Sequence, residues 1–194
     1  MSFYIDMNLY NKQSKLVDVK EIIDLNERIS LLLHETQKER GITSAFLGTK
    51  GAKFKDTLIT QKELTNKNIE EFKKTINKIS VEKYPENGKN LIDNVLKELS
   101  SIQNIRSDVD SLAIDAKKAI AYYTDLNATL LSFVALTSTI ADSESTIKSI
   151  IAYYNFLMAK ERAGIERAVG SSTFASKTFA SVMFVKYLGL VNAE

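Results

Sequence analysis

The sequence contains no cysteine, one proline, one histidine and only seven glycines in 194 residues. Without cysteine there are no disulfides, no thiolate metal sites and no thiol nucleophile. With one histidine there is no His-rich metal centre, and any Ser-His-Asp triad would depend on His34 alone. One proline and seven glycines leave too few turn residues for a many-stranded fold and favour long helices. The net charge of +2 is too small to indicate nucleic acid or an anionic membrane surface as a partner. No run of 18 apolar residues is present, so no transmembrane helix is expected within the chain. The first 15 residues are polar and acidic where a signal peptide needs an apolar run.

What is present is helical periodicity. Ile22, Leu25, Ile29, Leu32, Thr36, Thr43 and Leu47 recur at steps of three and four, which predicts a long helix from about Ser14 to Leu47. Gly48 to Gly51 forms a break. Further helices are expected at Lys53–Ile79, Leu91–Leu112, Asp115–Ile140 and Ser143–Val169, the last capped by Ser143. Tyr84 to Gly88 is read as a loop. A second break at Gly170–Thr173 precedes a sixth helix, Phe174–Leu190. The fifth helix is apolar on nearly every side, at Ile150, Ile151, Tyr153, Tyr154, Phe156, Leu157 and Met158, and is expected to be central or packed on two sides. The fold class is all-α, an antiparallel up-and-down bundle of long helices forming one domain over residues 1–194.

Two segments echo each other 122 residues apart. Lys38-Glu39-Arg40-Gly41-Ile42 and Lys160-Glu161-Arg162-Ala163-Gly164-Ile165 both open Lys-Glu-Arg, contain Gly-Ile and run on to a glycine, Gly48 or Gly170. Lysines outnumber arginines 21 to five, yet Arg40, Arg162 and Arg167 all lie in these segments. Helix C-caps account for Gly48 and Gly170. They do not account for Gly41 and Gly164, because a glycine inside a helix costs about 1 kcal/mol relative to alanine. Close approach of a helix or a ligand is the expected reason. Arg40 lies in line with Leu25, Ile29 and Leu32, so its guanidinium points inward and must be paired or bound. The same projection places Arg167 with Tyr153, Phe156, Leu157 and Gly164. Internal pairing with Glu39, Glu161 or Glu166 and a shared anion site both satisfy this pattern.

The segments resemble the NIT domain, the nitrate- and nitrite-sensing domain of bacterial receptors and transcription regulators. The resemblance rests on Gln37-Lys38-Glu39-Arg40-Gly41 late in the first helix and on Lys160 to Ala168 (KERAGIERA) near the other end. Arg106 with Val109-Asp110, and Tyr123 to Asn127, add to it. The resemblance implies a helical sensor that binds nitrate or nitrite between helices through Arg40 and Arg167. A guanidinium is planar, permanently charged and offers paired N–H donors, which suits a planar anion better than an ammonium does. Thr36, Thr43 and Ser44 would add hydroxyl donors, and Gly41 and Gly164 would permit close approach. Without ligand the two arginines would repel, and a bridging anion would draw their helices together. The resemblance further implies a homodimer and the extracytoplasmic part of an inner-membrane receptor of chemoreceptor or histidine-kinase type, with membrane contact only through segments outside this chain. The absence of cysteine suits such a compartment. The family domain commonly continues past the second motif, so the chain is expected to be either a compact member or an excised region.

Two other readings fit the same residues. One is a bundle sensor for another small anion or an organic acid. The other is a non-sensing dimerisation or scaffold bundle, in which glutamates tie up both arginines. An enzyme is not expected, and neither is a cofactor or a metal. Di-metal bundles use Glu-x-x-His pairs, whereas Leu31 stands three residues before His34. The Tyr122-Tyr123 and Tyr153-Tyr154 pairs read as packing, with Tyr123 and Tyr153 as candidate phenol donors.

Overall fold

The computed structural model describes residues 2–79, 84–176 and 189, and among these the side chains from residue 19 onward except those of 172, 175 and 176. Five α-helices are found among the described residues: α1 (Ser2–Gly48), α2 (Lys55–Ile76), α3 (Glu86–Asp110), α4 (Ala116–Thr137) and α5 (Glu144–Ser176). At 47 residues α1 is roughly 70 Å long. It packs against α2, α4 and α5, while α4 also packs against α3 and α5.

Side-chain pairs fix the helix directions. Asn26 meets Thr137 and Thr36 meets Asn127, so α1 and α4 run antiparallel. Gln37 meets Glu161 and Ser44 meets Ala168, so α1 and α5 run parallel. These are the two echoing segments. An up-and-down chain with an even number of intervening reversals sets them side by side at the same height. The core gathers Leu25, Ile29, Leu32 and Leu33 of α1, Phe72 of α2, Val95 of α3, and Leu126, Leu130 and Phe133 of α4. By length and hydropathy α4 would suffice to cross a membrane, but 56% of that apolar window is buried inside the bundle, where it forms the core.

Three expectations need correction. The break at Gly170 is absent: α5 continues through it to Ser176. Ala168, Val169 and Thr173 are buried there, and Thr173 donates to the Val169 carbonyl, so packing overrides weak local propensity. The rest of the expected sixth helix, 177–190, lies almost wholly outside the described residues. Among the described residues α5 packs on α1 and α4 but is not enclosed on every side: Ile151 is 48% and Phe156 65% exposed. Finally, Pro85 does not extend the loop but supplies the N-cap of α3. Ser143 does cap α5, accepting from the Thr146 amide at 3.1 Å. Between α1 and α2, Gly51 takes φ +78° and Phe54 φ +70°, turning the chain back in six residues.

Candidate functional site at the α1–α5 seam

Glu39 and Arg40 are neighbours on α1, and both are fully buried. Their side chains diverge by the 100° of a helical step and enter different networks. Glu39 accepts from Arg106 Nε at 2.7 Å and Arg106 Nη2 at 2.8 Å, a bidentate pair, and from the Tyr123 hydroxyl at 2.7 Å. Arg106 spends its remaining donors on Asn66 Oδ1 at 2.6 Å and the Lys62 carbonyl. Burial, and then the charge of Glu39, push the Tyr123 phenol far above its ordinary value, so it stays a neutral donor. The Glu39 carboxylate holds Arg106 in its charged form despite the desolvation that opposes it.

Arg40 points the other way, to α5. Its Nη1 and Nη2 donate to the two oxygens of Glu161, and Nη1 also donates to Thr124 at 3.1 Å. Gln37 Nε2 and Asn127 Nδ2 donate to Glu161 Oε2 at 2.7 and 3.2 Å. Glu161 is thus held by four N–H donors from α1 and α4. Two buried atoms of this network have no partner: Arg40 Nε and Gln37 Oε1. The Thr43 hydroxyl, close to the Tyr123 phenol, makes no hydrogen bond of normal geometry.

Above this network lies a cleft of about 740 Å³ between α1, α5 and the α1–α2 turn. Its wall includes Gln37, Gly41, Gly164 and Arg167, with Phe54 and Phe174 at the apolar rim. Lys38, Lys53 and Arg167 line it, with Lys38 paired to Glu35 at 3.1 Å, and among the described residues no aspartate or glutamate lines it. Burial, followed by the charge of Arg167, lowers the Lys160 ammonium below its usual range. Burial, followed by Lys160, likewise lowers His34, whose Nδ1 accepts from Lys160 Nζ at 3.2 Å. A local excess of positive charge attracts anions.

The residues expected to bind anion therefore fall into three positions. Gly41, Gly164 and Arg167 line the cleft. Arg40 lies beneath Gly164: a Cβ there would stand 2.8 Å from Arg40 Nη2, which explains this helical glycine. A Cβ at Gly41 would meet nothing within 4 Å among the described residues, so none of the described helices requires that glycine. Thr36, Thr43 and Ser44 are buried to one side; Thr36 donates to Asn127 Oδ1 at 2.6 Å and Ser44 to the Ala168 carbonyl at 2.7 Å. The two arginines do not face each other. Arg40 is enclosed and neutralised by Glu161, whereas Arg167 is exposed on the cleft wall, its Nε directed at the Ala163 carbonyl. Mutual repulsion between them therefore does not describe this state. Tyr123 serves Glu39, and Tyr153 lines a separate apolar groove near Ile22 and Ile150. Sequence reasoning named Glu161 as a possible partner but missed Gln37 and Asn127 as its further donors. Both stood inside the family-like motifs, which was the available signal.

Residues 31–194 match the family described as nitrate and nitrite sensing, NIT. The match covers most of the sequence, and the chain belongs to the NIT family. Among curated proteins none matches. Of solved structures, the NasR transcription antiterminator superposes with a TM-score of 0.83 at 20% sequence identity, over 97% of this chain and 52% of that one. At that identity the likeness is one of fold, and the chain spans about half that protein's length.

Proposed function

We propose that the chain is the ligand-binding sensor domain of a bacterial signal-transduction receptor, and that it takes nitrate or nitrite at the α1–α5 seam. The observation that carries this reading is the cleft itself. It lies where the two NIT motifs meet, its described lining holds three cationic side chains and no carboxylate, and Gly164 on its wall packs against Arg40. Arg167 attracts and holds the anion from the wall. Arg40 receives it below, with Gln37 spanning both levels. Ligand that favours one spacing of α1 and α5 over another shifts the population between them, which is the requirement for sensing. Calorimetry with nitrate, nitrite, formate and chloride tests the reading. Saturable heat with nitrate or nitrite, weakened at least tenfold by Arg40→Ala, is expected. No heat with either ion, or binding unchanged in Arg40→Ala, sinks it.

One observation favours a larger ligand. A water molecule's share of liquid volume is about 30 Å³, so a 740 Å³ cleft has room far beyond a four-atom ion, and Phe54 and Phe174 offer apolar contact. An organic acid is the second reading, and a thermal-shift panel of carboxylates against nitrate separates the two. For the host protein, we propose an extracytoplasmic position in an inner-membrane receptor acting as a homodimer. The chain has no cysteine, so a single Lys74→Cys on the exposed face of α2 reports sidedness. Labelling of the full-length protein in intact cells by an impermeant maleimide is expected. Labelling only after lysis would instead favour an intracellular regulator.

A further inference from the structure

The Glu161 carboxylate is a planar, singly charged group in an arrangement that would suit nitrate or nitrite equally well. Arg40 meets it with both terminal nitrogens, and Gln37 and Asn127 add amide donors. All of these donors come from α1 and α4, while the carboxylate comes from α5. The cradle is therefore preformed on two helices and filled by a side chain of the third. It is also imperfectly filled. Arg40 Nε, fully buried, has no acceptor, and neither has Gln37 Oε1 a donor. A merely structural ion pair would be expected to satisfy such donors, as Glu39 and Arg106 do on the opposite side of the same helix. The access route is short. Gln37 both lines the cleft and donates to Glu161, and Gly164 on the cleft wall packs directly against the Arg40 guanidinium.

We propose that Glu161 is a built-in competitor: its carboxylate occupies the anion's place on Arg40, and the sensed anion displaces it. This rests on the reading that the anion reaches Arg40, and it adds what sets affinity and selectivity there. An anion must outcompete a tethered carboxylate, so the tether sets the concentration at which the site responds. One that succeeds releases the only ionic link between α1 and α5 among the described ion pairs. On Arg40 one negative charge replaces another, so the buried guanidinium is never left bare, and the released Glu161 carboxylate turns towards solvent beside Lys160, whose charge it already feels.

Calorimetry at constant ionic strength, with sodium nitrate titrated into the wild-type chain, Glu161→Gln and Glu161→Ala, tests the inference. Glu161→Gln keeps the side-chain volume and guards against a variant that fails to fold. Nitrate is expected to bind both variants at least tenfold more tightly than wild type. Thermal melts should show Glu161→Ala melting below wild type and recovering with nitrate. Adding Arg40→Lys to Glu161→Ala should abolish the recovery. Nitrate binding to wild type with equal or weaker binding to both Glu161 variants overturns the competitor role and leaves the sensing reading intact. Binding by the variants alone, dependent on Arg40, supports the competitor role and places wild type in its self-occupied state. No binding by any of the chains overturns both.

Discussion

Helix α1 places two buried ion pairs one residue apart, and they are built to different standards. On one side, Glu39 and Arg106 form a bidentate pair whose remaining groups are satisfied by Tyr123, Asn66 and a backbone carbonyl. On the other, Arg40 and Glu161 leave Arg40 Nε without a partner and lie under an open cationic cleft. A buried pair is not by itself a source of stability, since desolvation offsets much of the attraction. Completeness distinguishes a strut from a switch. An ion pair whose own donors are all used has one good arrangement, whereas one with a spare donor has a use for another acceptor.

The largest expected effect breaks the strut. Glu39→Ala or Arg106→Ala strands a buried charge and should cost about 3–5 kcal/mol. In a chain of this size that is a fall in Tm of roughly 6–20 °C, while the nitrate response of the folded molecules persists. Loss of nitrate binding in these variants, at temperatures where they remain folded, would erase the distinction between the two sides.

Next come the echoing glycines. Gly164→Ala drives a methyl against Arg40 Nη2 at 2.8 Å. The guanidinium is pinned by Glu161 and Thr124, so about 1–3 kcal/mol of overpacking is expected in chemical denaturation. Gly41→Ala meets open space and should instead gain up to about 1 kcal/mol of helix propensity. The same substitution in like motifs thus changes sign; destabilisation by both would show that Gly41 also has a close neighbour in solution.

A smaller effect on stability, with a large one on binding, is expected from Arg167→Ala. The side chain is exposed, so stability should change by no more than about 0.5 kcal/mol. Nitrate affinity should fall at least tenfold by calorimetry. The smallest effect is that of pH. Burial, Lys160, Lys38 and Arg167 hold His34 below 6.5, against the opposing pull of Glu35. The unfolded chain therefore takes up this proton first, and stability is present above pH 6.5 and declines slightly as pH falls below it. The proton adds positive charge to the cleft, so nitrate affinity should rise a few-fold between pH 7 and 5.5. His34→Gln should remove that slope.

Much of this was legible in the sequence. Apolar spacing located all five helices because each buries one continuous stripe, although α1 begins at Ser2 rather than Ser14, α3 at Glu86 rather than Leu91, and α5 runs on to Ser176. Arg40 was read as inward because Leu25, Ile29 and Leu32 share its stripe, and all are buried. Arg167 failed the same projection because its own stripe includes Phe156, which is 65% exposed. An apolar stripe marks the core only where another helix covers it, and that depends on the tertiary arrangement. Which of three glutamates Arg40 chooses was equally hidden. The answer depends on the relative register of α1 and α5, which no local pattern encodes. Gly170 misled for a related reason: a propensity penalty of about 1 kcal/mol is small beside the burial of Ala168, Val169 and Thr173.

The unbroken length of α1 has a mechanical consequence. Arg40 lies 38 residues from the start of a helix without a proline, so the guanidinium sits about 57 Å along a rod from its far end. Treated as a lever pivoting at the seam, a tilt of about 2° would swing that end by about 2 Å at this rise per residue. Exchange of a side-chain carboxylate for a free anion need therefore move nothing far at the site itself. The amplification is set by helix length, and the load can be placed well away from the ligand.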